Sequence, residues 1–279
     1  AAAEPLAREA VDLQRDLRGD EHPEVVVSLN NLSCLLRDMG RYREAEPFAR
    51  EALTKAARLF GPDDPALAIH LNNLGGVYYY LGEYTRAEPL FRQALAIRRT
   101  QLGAAHQDVA QSLNNLAFLL KAQGDLAGAE ALFREALATQ RSVHGDEHPV
   151  VAGHINNLAN TLSLQQRHEE AQALYRDGLR ICRTLLGDEH PRVAQIMTSL
   201  ATSLCASGDS TQAQRLFDEA LALRRKTLGP QHPDVATTLS RLGRLHQGRG
   251  NDGVAQTLFE EALAIRRRSF GHVHVAVAS

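Results

Sequence analysis

Tryptophan is absent from this 279-residue sequence, methionine occurs twice, and aromatic residues make up only 5% of it. Large rings are therefore few, and Leu and Ala dominate the 44% hydrophobic fraction, as suits a soluble helical protein. Cysteine is scarce too. Cys34, Cys182 and Cys205 lie far apart and in no metal or redox spacing, which excludes a disulfide framework and points to reduced thiols in a cytoplasmic protein. No apolar run approaches the roughly 18 residues of a membrane span, and no signal peptide is visible, so a soluble chain is expected. An excess of one charge is also missing: a net charge of −2 gives no general pull toward nucleic acid or an anionic membrane. Three lysines (Lys55, Lys121, Lys226) stand against 28 arginines, a bias that genome composition explains as readily as chemistry.

Chemical signatures are missing as well. There is no Gly-rich phosphate loop, nucleophile elbow, His-Glu-x-x-His or Cys-x-x-Cys pattern, and no pair of carboxylates is set apart from the others. The chain is therefore read as no enzyme, with no cofactor and no metal.

What the sequence does have is a period. A block close to H-P-x-V-A…L-N-N-L…G-x-Y-x-x-A-E-P-L-F…A-L-A-I-R-R…L-G returns every 42 residues, marked by Pro23, Pro65, Pro149, Pro191 and Pro233, with Gln107 at the skipped position. A fixed period of this length is the signature of a stacked repeat array, and such arrays bind through a long surface more often than they build a catalytic pocket. The second repeat is the clearest. Pro65 suits the first position of a helix A, whose apolar face is Leu67, Leu71, Leu74 and Tyr78. Gly82 suits the left-handed residue after it, and helix B follows with Ala87, Leu90, Phe91, Ala94, Leu95 and Ile97 facing inward and Pro89 near its first turn.

Three columns predict close packing of helix A on helix B. Ser33, Gly75, Ala117, Ala159, Ala201 and Gly243 are all small, Ala45, Ala87, Ala129, Ala171, Ala213 and Ala255 are invariant, and Leu32, Leu74, Leu116, Leu158, Leu200 and Leu242 fill the facing gap.

Leu71, Leu74-Gly75, Tyr78, Gly82, Tyr84, Ala87, Phe91 and Ala94-Leu95 resemble, in order and spacing, the tetratricopeptide repeat (TPR) pattern, with Leu71 where Trp is frequent. The 42-residue period, with Leu113-Asn114-Asn115-Leu116-Ala117 and Ala87-Glu88-Pro89-Leu90, is similar to the longer repeats of kinesin light chains and nephrocystin-3. The resemblance implies an all-α, right-handed superhelical solenoid of antiparallel helix pairs. One domain is expected over 1–279: a partial repeat 1–22, full repeats 23–64, 65–106, 107–148, 149–190, 191–232 and 233–274, and a stub 275–279. The chain opens inside a helix B and closes a few residues into a seventh helix A at His274, so an excised part of a longer protein is expected.

The resemblance also places helix A on the concave side. Its exposed columns are Asn30, Asn72, Asn114, Asn156, Thr198, Ser240 and Asn31, Asn73, Asn115, Asn157, Ser199, Arg241. Asn is a mediocre helix former, so eight of them in mid-helix need a reason. One is an amide ladder that holds the main chain of an extended peptide, as the corresponding Asn do in related repeats. The other is that the amides bond neighbouring helices and stabilise the stack. Tyr79, Tyr80, Phe118 and Asn160 would line the middle of the groove, with packing on the next helix A as the alternative for Tyr80. Arg241 and Arg244 would make one end prefer a carboxylate, although no Lys accompanies them to form the two-Lys clamp of some relatives.

The Arg column 99, 141, 183, 225 and 267, with Arg98, Arg224 and Arg266 beside it, is read as favourable charge near the end of helix B, with a basic stripe for acidic partners as the alternative. His22, His106, His148, His190, His232 and His274 recur once per repeat, too far apart for one metal, and are read as turn or cap residues. The leading function is a protein-interaction scaffold with a peptide in its groove. A structural or sensory arm of a larger regulator, such as an ATPase switch, and self-association through uncapped ends are the alternatives.

Overall fold

The computed structural model describes residues 3–270; the histidine at 274 and the stub 275–279 lie outside the described residues. Thirteen helices and no strand occur among the described residues: α1 (Ala3–Arg18), α2 (Pro23–Asp38), α3 (Tyr42–Phe60), α4 (Pro65–Leu81), α5 (Tyr84–Leu102), α6 (Gln107–Gln123), α7 (Leu126–His144), α8 (Pro149–Leu164), α9 (His168–Leu186), α10 (Pro191–Ala206), α11 (Ser210–Leu228), α12 (Pro233–Gly248) and α13 (Asp252–Phe270). The even-numbered helices are the A helices of the repeat and the odd-numbered ones from α3 onward are the B helices. The chain falls into two compact units, 1–143 and 144–279.

Each A helix begins the same way. The Nδ1 atoms of His22, His106, His148, His190 and His232 accept the backbone N–H two residues on, at 3.1–3.2 Å. The imidazole thus satisfies one of the donors that a helix start leaves without a partner, a task usually given to Ser, Thr, Asp or Asn. In the second repeat Asp64 does it instead, at 2.7 Å to the Ala66 N–H. Proline follows as the first helical residue in α2, α4, α8, α10 and α12.

Each A helix also ends on a left-handed residue. Gly82 has φ 76° and its N–H reaches the carbonyls of Tyr78 and Tyr79, so the last turn is closed by the chain itself. The fourth repeat puts Gln166 there, at φ 63°, where a side chain is sterically disfavoured. Pro89 corrects an expectation: α5 starts at Tyr84, so the proline is the sixth helical residue, beyond the first turn, and Pro47 is placed alike in α3. The helix tolerates it because the carbonyls left without a donor belong to Thr85 and Arg43, both exposed to water.

In the first unit one continuous core runs from Val11 to Ala136, with Leu29, Leu32, Leu113 and Leu116 at most 2% exposed. In the second, Ile155, Tyr175, Met197, Phe217 and Leu239 occupy the interior. The small column has a visible cause. A Cβ on Gly75 would stand 2.8 Å from the Phe91 ring, and one on Gly243 2.8 Å from Phe259. Where the first repeat has Ala49 in place of the ring, Ser33 fits instead and its Oγ donates to the Ala45 carbonyl at 3.1 Å.

A candidate peptide groove on the A helices

Successive A helices touch one another within each unit: α2, α4 and α6 in the first, α8, α10 and α12 in the second. The Asn columns lie along these contacts. Asn73 Nδ2 donates to Asn30 Oδ1 at 2.6 Å, and Asn115 Nδ2 donates to Asn72 Oδ1 at 3.3 Å. Asn72, 8% exposed, also donates to the Ala68 carbonyl (3.1 Å) and to Ser112 Oγ (3.2 Å). These amides therefore tie the A helices together. Asn30, Asn73, Asn114 and Asn115 remain half-buried and Asn31 is exposed, so each keeps part of its surface accessible.

Those helices frame a cavity of about 500 Å³ in the first unit. Asn72, Asn73, Tyr79 and Tyr80 of α4 form one wall, and Gln111, Asn115 and Phe118 of α6 form the opposite one. The end of α2 contributes Arg37 and Asp38, and α5 contributes Phe91 and Arg98 from beneath. Six of the groove residues singled out from the sequence thus meet at one place: Asn72, Asn73, Tyr79, Tyr80, Asn115 and Phe118. Tyr80, 54% exposed, stacks on Tyr42 at 5.0 Å between ring centroids, while Tyr79 meets Tyr80 edge-on at 5.3 Å. Its partner is thus the preceding B helix rather than the next A helix. Phe118 packs edge-on against Phe133 at 5.2 Å, and Lys121 Nζ sits 4.6 Å from the centre of the Phe118 ring, its pKa pushed down by burial.

The second unit is built differently. Asn156 is buried, with no partner for its Oδ1 among the described residues, and Asn157 is half-buried. Asn160 is engaged from below: the Tyr175 hydroxyl, whose pKa burial pushes up, donates to its Oδ1 at 2.7 Å. Arg241 and Arg244 are exposed on α12, and Arg241 Nη1 donates to Thr202 Oγ1 on α10 at 2.7 Å.

Arg98 and Arg224 depart from the expectation of charges near a helix end. Both are buried and both reach forward to the next A helix. Arg98 Nη1 donates to the Asp108 carbonyl (3.0 Å) and Ser112 Oγ (2.9 Å), and Arg224 Nη1 donates to the Asp234 carbonyl (2.7 Å) and Thr238 Oγ1 (2.7 Å). The signal was a hydroxyl residue 14 positions after each arginine; at the equivalent position Cys182 is followed instead by Ile196. Arg99 and Arg225 face outward and pair with Glu135 and Glu261 on the following B helix.

Among the described residues no three His, Cys, Asp or Glu side chains converge, although His144 and His148 stack at 4.4 Å. No helix among them is long and apolar enough to cross a membrane. Cys34, Cys182 and Cys205 are free, and burial raises the pKa of each thiol.

Stacked helical hairpins with a small-residue column at the A–B contact define an all-α repeat protein. The tetratricopeptide repeat profile matches residues 1–56, 35–100, 108–184, 151–214 and 192–268, and the chain belongs to that family. Proteins of this family are typically non-catalytic scaffolds for protein–protein interaction. The chain is similar to the nearly identical TPR-like repeats of a kinesin light chain-like protein from Podosopora anserina, at 26% identity and TM-score 0.60 over 75% of this chain and 99% of that one. A single-substitution variant of the same protein gives 27% and 0.62, over 74% and 97%. The apo form of RapI shares the fold, with TM-score 0.71 at 16% identity over 94% of this chain and 90% of that one. No curated protein matches the sequence.

Proposed function

We propose that this chain is a non-catalytic scaffold that holds an extended segment of a partner protein against the face formed by its A helices. The observation that carries this reading is the cavity of about 500 Å³ in the first unit, where Asn72, Asn73 and Asn115 stand beside Tyr79 and Phe118. Amides offer both a donor and an acceptor, which suits peptide main chain, and half-exposed rings anchor peptide side chains. Asn30, Asn31, Asn114 and Asn157 carry the same chemistry along their own A helices, Asn156 and Asn160 support it from the buried side, and Arg241 and Arg244 add a basic stretch in the second unit. The family membership supports the scaffold role, and the bonds between Asn side chains hold the reading surface in register.

The test is a peptide array probed with the wild-type chain and with an Asn115→Ala, Asn157→Ala double variant of unchanged fold. Loss of about tenfold or more in affinity, the scale of one or two hydrogen bonds, is expected. Unchanged binding by the folded double variant refutes the groove.

A further inference from the structure

Arg98 is the odd charge in the first unit. It is 5% exposed, yet its guanidinium has no acidic side chain within ion-pair distance among the described residues. Its one engaged nitrogen, Nη1, donates only to neutral oxygens, those of Asp108 main chain and Ser112. The Asp108 carboxylate acts on it from farther away. A guanidinium carries five N–H donors in a rigid fork, and buried charges are normally paired. Arg98 is among the residues that line the cavity.

The charge balance there is lopsided. The charged side chains lining the cavity are Arg37, Asp38 and Arg98. Asp38 is taken by Arg37, whose Nε and Nη2 donate to its Oδ1 at 3.2 and 3.1 Å. One positive charge is left over, within walls of amides and rings that screen it less than water does.

We infer that the cavity between α4 and α6 is an oxyanion subsite, which takes an acidic or phosphorylated side chain of the bound segment on Arg98. The neighbouring residue of that segment then lies against Tyr79 and Phe118. This rests on the peptide-binding reading above and names its chemistry. The free edge of a guanidinium matches a carboxylate or phosphoryl group through two parallel bonds. Ser112 and the Asp108 carbonyl hold Arg98 in place beforehand, so little ordering accompanies binding. Arg224 makes the same two bonds to the next A helix in the second unit, which makes it the control for a purely structural role. Gln140 occupies the equivalent position one period after Arg98, so the fold already accommodates Arg98→Gln.

The experiment uses peptides on one uncharged background that carry Gln, Glu or phosphoserine at a scanned position. Their affinities are measured by fluorescence anisotropy for the wild type, Arg98→Gln and Arg224→Gln, each checked for its melting temperature. The wild type is expected to prefer Glu or phosphoserine over Gln by about tenfold or more, as for one charge-assisted bond. Arg98→Gln erases that preference, Arg224→Gln keeps it, and the better of the two anions identifies the source. Peptide binding without an acidic preference, or a preference that survives Arg98→Gln, overturns the subsite and leaves the groove intact. If no peptide binds, the groove reading fails, and inorganic phosphate alone decides the subsite. A rise in melting temperature that Arg98→Gln abolishes supports it; no rise overturns it.

Discussion

In the first unit Asn72 keeps the Ala68 carbonyl of its own helix and still reaches Ser112 on the next A helix; in the second, Thr198 at the same register donates to Ala194 at 2.7 Å. An amide has two donors and an acceptor, whereas a hydroxyl has a single donor, which here is directed into its own turn. The neighbouring column shows the same divergence. Asn73 bonds Asn30 amide to amide, while Arg241 spans to Thr202 with a guanidinium. Beneath these differences the two units are alike: Leu74, Leu116, Leu158 and Leu200 are all buried, with Ala87, Ala129, Ala171 and Ala213 wholly so. Two sets of columns thus answer to separate physical demands: the buried set repeats its volume from one unit to the other, and the A-helix surface set changes its chemistry.

The sharpest way to test that separation is to truncate the same column in both units. Leu116→Ala and Leu200→Ala are each expected to lower stability by about 2–5 kcal/mol in denaturant titrations. A silent change in either would break the equivalence of the cores.

Acid should load the units through the buried His70 and the half-buried His154. Burial lowers the pKa of His154 in the second unit to about 4 from the ordinary value of 6.5, and that of His70 in the first in the same direction. Between those values the unfolded chain binds the proton and the folded chain does not, so stability falls as pH drops from 6.5 toward 4. The loss from His154 reaches at most about 3 kcal/mol at 1.36 kcal/mol per pKa unit. His154→Gln should flatten the melting temperature over this window; an equally steep profile in the variant contradicts the assignment.

A smaller effect separates the A-helix faces of the two units. Asn72→Ala removes bonds to Ala68 and Ser112 and leaves Asn115 Nδ2 without its acceptor, and is expected to cost about 1–3 kcal/mol. Thr198→Ala gives up one bond within its own helix and should cost about 1 kcal/mol or less. Equal losses would show that the amides do not tie the helices of the first unit. The smallest expected change is a gain: Gln166→Gly relieves a side chain held at φ 63° and should stabilise by about 1 kcal/mol, read from the urea midpoint. The same φ region is held by Gly82 and Gly124 in the first unit, so no such gain is available there.

The fold was largely legible because a repeat states each packing rule several times. Proline after a capping residue marked where A helices start, and the Gly75 column marked where Phe91 approaches. The position of Pro89 was misjudged because the turn after Gly82 is a single residue long, so helix B begins sooner than a longer turn would allow. The asparagines were visible as anomalies, but their partners were not. Whether Asn73 meets a ligand or Asn30 depends on the 43-residue offset between stacked helices, which a one-dimensional pattern does not contain. Arg98 was missed for a related reason. Next to Arg99 it reads as an end-of-helix charge, and only the direction of its side chain, inward under α6 rather than outward to Glu135, separates the two.

The central claim, that partner segments lie on the A helices, is tested most directly by mapping a bound peptide onto the chain with amide and side-chain NMR shifts. Perturbations concentrated at Asn73, Tyr79, Asn115 and Phe118 are the predicted result. Perturbations confined to the outer surface of the B helices, at Arg92, Arg134 or Glu135, with those four residues unchanged, would contradict it.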